Sequence, residues 1–142
     1  MLATILLPLA LLTAQPQEVT VTNNSNVVSI DGRDITFGVK ETVEELALEA
    51  GINYETQYVE VSIEEVESPQ QMLNVVGLQW LRKDYVVKVK IKVDGQEYFG
   101  YGKRKTLLFA ALLDVEGGEV PLNRKAFSKA LQSALKDAFK SI

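Results

Sequence analysis

Tyr85-Val86-Val87-Lys88-Val89-Lys90-Ile91-Lys92-Val93, followed at once by Asp94-Gly95 and by Gln96-Glu97-Tyr98-Phe99-Gly100-Tyr101, decides the fold of this chain. Tyr85, Val87, Val89, Ile91 and Val93 recur at every second position with Lys88, Lys90 and Lys92 between them. That is the period of a strand with one buried and one wet face. A helix would scatter the lysines around its circumference. Asp-Gly between two extended runs predicts a two-residue type I′ turn, in which both central residues need φ > 0.

Residues 57–67 are the acidic counterpart: Val59, Val61 and Ile63 alternate with Glu60, Ser62 and Glu64. Antiparallel pairing sets Glu60 and Glu64 opposite Lys88, Lys90 and Lys92, and each opposite-charge pair favours that register by about 0.2–1 kcal/mol. The pairing would also absorb a charge asymmetry. Residues 18–67 carry twelve acids against Arg33 and Lys40, a balance of −10, whereas residues 68–142 carry thirteen bases against seven acids, a balance of +6.

The remaining elements follow from local patterns. Val27 to Ile30 and Ile35 to Val39 flank Asp31-Gly32-Arg33-Asp34, which reads as a hairpin with a four-residue loop. Thr42-Val43-Glu44-Glu45 has the form of a capping box opening a short helix over 42–50, with Gly51 as its stop. Ser68-Pro69-Gln70-Gln71 is again a cap pattern and predicts a short helix through Met72, Leu73, Val75 and Val76. The lone Trp80 is read as a core or edge-sealing residue. Thr106 to Asp114 is apolar enough to be buried on both sides, and periodicity does not separate strand from helix there; a further meander strand over 106–115, with a turn over 114–120, is preferred to a helix. Ala126-Phe127, Ala130-Leu131, Ala134-Leu135 and Ala138-Phe139 repeat every four residues, and Lys125, Lys129, Lys136 and Lys140 share the opposite side. This is an amphipathic helix over 124–141 with a basic ridge.

The expected fold class is therefore α+β. An antiparallel sheet, with strands near 57–66, 85–93, 96–102 and 106–115, is covered by a C-terminal amphipathic helix, with a short helix in the N-terminal half. A chain of 142 residues, 46% hydrophobic and 24% charged, suits one domain over 18–142.

Met1 to Ala14 is an apolar run without a charged side chain. It is short for a membrane span and matches the h-region of a secretory signal, so export to a periplasmic, envelope-associated or secreted location is expected. A short membrane anchor and a buried N-terminal helix are the competing readings. Leu12-Thr13-Ala14 has the form of the start of a bacterial lipobox, with Gln15 where the lipidated Cys would stand.

The chain has neither Cys nor His. That removes disulfides, zinc fingers and every nucleophile pair built on imidazole or thiolate. No catalytic residue, metal site or cofactor is expected, and the chain is read as a non-enzyme. Glu60 and Glu64 on one strand face are read as solvated rather than as an acid/base pair. The candidate binding residues are Lys103, Arg104 and Lys105 in a basic loop after Gly100-Tyr101-Gly102, the ridge of Lys125, Lys129, Lys136 and Lys140, and Phe99 with Tyr101. Counting from the hairpin turn puts the two aromatic residues on the lysine face. The basic groups would suit a polyanion, the aromatic ones a protein partner or a second copy of the chain.

Gly100-Tyr101-Gly102-Lys103-Arg104-Lys105 and Ala110-Ala111 resemble the double-stranded-RNA-binding domain, where Gly-x-Gly, a lysine pair and an Ala-Ala helix follow a hairpin. That likeness implies nucleic acid, which the export segment and a pI near 4.9 disfavour. A second resemblance covers more of the chain. The signal-like segment, the Tyr85 to Val93 strand, the Asp94-Gly95 hairpin and the Ala126 to Phe139 helix resemble the small ABC-type transport auxiliary lipoproteins of Gram-negative envelopes. What this resemblance implies is a non-enzymatic envelope accessory that associates with a membrane complex.

Overall fold

The computed structural model describes residues 18–109 and 120–142. The apolar segment 1–14, residues 110–115 of the strand expected over 106–115, and residues 114–119 of the expected turn lie outside these. The elements are β1 (Thr20–Asn23), β2 (Ser29–Ile30), β3 (Arg33–Asp34), α1 (Val39–Glu49), β4 (Val59–Glu67), β5 (Gln70–Val75), β6 (Leu78–Val93), β7 (Gln96–Phe109) and α2 (Arg124–Phe139). The fold is α+β, as the patterning predicts.

β6 is the spine. One of its edges carries β4 over Val86 to Val93 and then β5 over Leu78 to Lys83; the other carries β7 from Trp80 to Val93. The Asp94-Gly95 turn has φ of 49° and 88°, the type I′ geometry expected of it. Glu60 faces Lys92 and Ser62 faces Lys90, in the register that charge pairing favours. The register then slips between Ile63 and Glu65, and this bulge turns Glu64 toward Lys90 at 3.2 Å. β1 joins the far side of β4 in parallel, so the sheet is mixed rather than wholly antiparallel.

Five expectations are corrected. The hairpin at Asp31-Gly32 turns on those two residues alone, between strands of two residues each that form a separate small sheet. α1 begins three residues before Thr42: Gly38 is its N-cap, no side chain caps it, and the Thr42 hydroxyl bonds back to the Gly38 carbonyl at 3.0 Å. Residues 70–75 are a strand, not a helix, because Val76-Gly77 supplies a third turn with both φ positive, at 52° and 73°, and β6 offers an edge. The strands expected over 96–102 and from 106 are one continuous strand, β7. Lys103, Arg104 and Lys105 consequently lie mid-strand, not in a loop.

One face of the sheet is closed. Val59, Val61, Ile63, Tyr85, Val87, Val89 and Ile91 meet Phe127, Leu131 and Leu135 of α2, and Val39, Val43 and Ala47 of α1 complete the same core. Each such aliphatic or aromatic side chain contributes about 1.5–3 kcal/mol on burial. α2 lies very close to β7, where Gly100 and Gly102 meet the alanine stripe. A Cβ on Gly100 would sit 2.6 Å from the Ala138 nitrogen, and one on Gly102 would strike the Ala130 carbonyl. The helix starts cleanly, since the Asn123 side chain accepts from the Ala126 N–H at 2.9 Å. Arg124 donates from its guanidinium to the Arg33 and Asp34 carbonyls, tying the small hairpin to α2.

Candidate functional site

The sheet presents three surfaces with chemical character. The first is its open face, opposite α2. There Lys88 lies 5.2 Å from the Phe99 ring centre and 5.7 Å from that of Tyr101, a cation over two aromatic rings. Phe99 and Tyr101 are exposed, and they share the lysine face as alternation predicts. Around them the charges are matched. Lys90 pairs with Glu64, Lys92 reaches Glu97 at 4.0 Å, and Arg82 and Lys103 both reach Asp84, at 3.0 and 3.7 Å. The Arg82 hydrogen bond, with its charge and those of Lys103 and Lys105, holds the Asp84 carboxyl below the usual range. Burial pulls the Glu64 carboxyl up, but bonds from Asn24, Ser62 and Lys90 outweigh it and the net direction is down.

The second surface is the far end of the β5–β6–β7 ribbon, which runs past the main core cluster as an arm. Met72, Val75, Val76, Leu78 and Leu107 are exposed there. Trp80 is half-buried on the open face of the central strand β6, between Leu73 of β5 and Phe109 of β7, with its ring tilted 49° to that of Phe109 at 5.1 Å, so it is neither a core nor an edge-sealing residue. Val76 sits at the tip, 94% exposed, with φ of 52°. A β-branched residue in the left-handed region is strained, and an apolar one at a solvated turn gains nothing from folding. Its presence breaks local rules in the way that functional positions do.

The third is a cleft of about 540 Å³ at the amino-terminal end of α2. Its floor is formed by Lys83, Tyr85, Arg104, Thr106 and Leu108 of β6 and β7, and its wall by residues 120–123 with Lys125 and Lys129 of α2. The buried Tyr85 hydroxyl accepts from the Asn123 N–H at 2.7 Å, fixing the start of the helix over the floor. Burial pushes the Tyr85 phenol upward, so it stays protonated at neutral pH.

The candidate residues are thus dispersed. Arg104, Lys125 and Lys129 converge on the cleft. Lys105 borders it, but the pleat sets its side chain on the Asp84 face. Lys103 belongs to the open face with Phe99 and Tyr101. Lys136 and Lys140 are exposed farther along α2 and do not line the cleft. Sequence reasoning missed Lys83, which is 1% exposed in the cleft floor, and Val76. Val-Gly before a second apolar alternation was the available trace of the latter.

No protein-family model matches the chain, and no curated protein matches it. Among solved structures it is similar to a minor lipoprotein from Acinetobacter baumannii, at 11% identity and a TM-score of 0.41, over 86% of this chain and 85% of that one. A likeness at this level assigns no function.

Proposed function

We propose that this chain is an exported, non-enzymatic binding or assembly accessory of the cell envelope, and that its arm docks a protein partner. The observation that carries the reading is the exposed apolar arm tip: Met72, Val75, Val76 and Leu78 gather on one hairpin where a soluble surface would carry polar turn residues. Export rests on the apolar run 1–14.

Strand registers place the two ends of the molecule far apart. Thr20 pairs Glu60, which pairs Lys92, whereas the tip joins Val75 to Leu78. Fourteen residues of β6 separate these levels, roughly 45 Å at strand rise. A chain held to a membrane through its first residues would present the tip away from that membrane, which favours protein over lipid as the occupant.

The test is a photo-crosslinking amino acid at Met72, compared with one at Lys140, in cells that are then fractionated. A discrete adduct from Met72 alone, in an envelope fraction and lost on Val76→Asn, is expected. Equal labelling from both positions would remove the arm as the docking surface, and a full-length cytosolic protein would sink export.

A further inference from the structure

The cleft at the start of α2 carries an excess of cations among its described lining residues. Elsewhere several cations are held by carboxylates: Lys90 by Glu64, Lys92 by Glu97, Arg82 and Lys103 by Asp84, Lys40 by Glu18, while Lys88 lies over the rings of Phe99 and Tyr101. In the cleft, Arg104, Lys125 and Lys129 face a single carboxylate among the described lining residues, that of Asp31. Arg104, Lys125 and Lys129 form no ion pair with any described residue. A space of about 540 Å³ is on the order of 10 Å across, near one Debye length at 0.1 M salt, so these charges act together. The amino-terminal end of the sixteen-residue α2 adds the positive pole of its dipole to the same place. The overall charge of −4 makes this concentration a local feature rather than a consequence of composition.

We propose that the cleft binds a compact phosphate group, either as free phosphate or as the phosphoester headgroup of an anionic lipid. Free phosphate carries between one and two negative charges at neutral pH and a phosphodiester headgroup one, each with several strong acceptor oxygens. That chemistry suits the fork of Arg104 and the point charges of Lys125 and Lys129. The ligand is compact because the cations are. Lys136 and Lys140 lie roughly 10 and 16 Å farther along the helix axis than Lys129, and Lys103 is on the other side of the sheet, so no continuous track for a polymer exists among these residues. The site is separate from the arm tip, and its assignment does not depend on the partner proposed there.

The test uses the full chain and two double variants, Lys125→Gln/Lys129→Gln and Lys136→Gln/Lys140→Gln, which remove the same charge from the same helix. Calorimetric titration with inorganic phosphate and with pyrophosphate is run beside flotation with phosphatidylglycerol vesicles and with phosphatidylcholine vesicles. Saturable binding weakened at least tenfold by the first pair and less than twofold by the second is expected. If it appears in the titrations, the source is free phosphate; if only in flotation with phosphatidylglycerol and with the same variant dependence, it is a headgroup. Equal weakening by both pairs would reduce the effect to bulk charge and overturn the proposal, as would no binding to any probe. The melting temperature without ligand gives an independent reading. Relief of repulsion raises it for the first pair only, and an unchanged or lower value would show that the cleft cations are already neutralised.

Discussion

Gly102 lies directly beneath Ala130, so close that a methyl group on the glycine would strike the helix carbonyl and come within 2.5 Å of the Ala134 nitrogen. Both obstacles are backbone atoms of a buried helix, which cannot turn aside as the end of a side chain can. Gly102→Ala must therefore lift α2 from β7, and overpacking of this kind costs about 3 kcal/mol. Denaturant unfolding would measure it; a loss below about 1 kcal/mol would mean that the helix slides to accommodate the change.

Val76→Asn should act in the opposite direction on stability. Asn tolerates the left-handed conformation that Val76 adopts at φ 52°, and the tip contributes nothing to the core. A gain of about 1 kcal/mol is expected in the same assay, together with the loss of crosslinking from the arm. A variant that is more stable yet fails to dock separates function from folding.

Tyr85→Phe removes the acceptor of the Asn123 N–H while keeping the ring in the core. The cost of a buried, unmet donor is about 1–3 kcal/mol. Amide exchange should rise first at the amino-terminal turn of α2, and uniform exchange along the helix would contradict the anchoring role of the hydroxyl.

Acid should weaken the sheet through Glu64 and Asp84. For Asp84 the Arg82 hydrogen bond is the main cause of the lowering, whereas for Glu64 three hydrogen bonds and the Lys90 charge exceed an opposing burial effect. A carboxylate with a lowered folded pKa contributes its stability above its ordinary value and loses it as the pH falls through the folded one. Stability should thus fall as the pH drops below Glu64's ordinary 4.5. Glu64→Gln should flatten that decline in a pH series of melting curves, and an unchanged slope would count against the bulge contacts.

What could be read from the sequence tracks where one face of an element is buried. β6 declared itself through Tyr85 to Val93 because α2 closes one side of it, and α2 declared itself through its alanines for the same reason. β5 did not. Its residues are exposed or half-buried on both faces, so Gln70 to Val75 lack the alternation that marks a strand, and Ser68-Pro69 before them has the form of a helix start. Lys103 to Lys105 were misread for a related cause. Beyond the glycines β7 leaves the cover of α2, charge is tolerated on successive residues, and the pattern looks like a loop. The cleft was only half visible, since Arg104, Lys125 and Lys129 stand out as basic residues but nothing local says that Lys83 lies beneath them.

The parallel joining of β1 to β4 has a mechanical consequence. β1 enters at the Val59 end and runs toward the arm, alongside β4 over four paired residues. Tension between the first described residues and the hairpin tip would act along the strand axes, across the hydrogen bonds rather than in line with them. All four β1 rungs would then have to give way in shear together, instead of opening one after another like a zip.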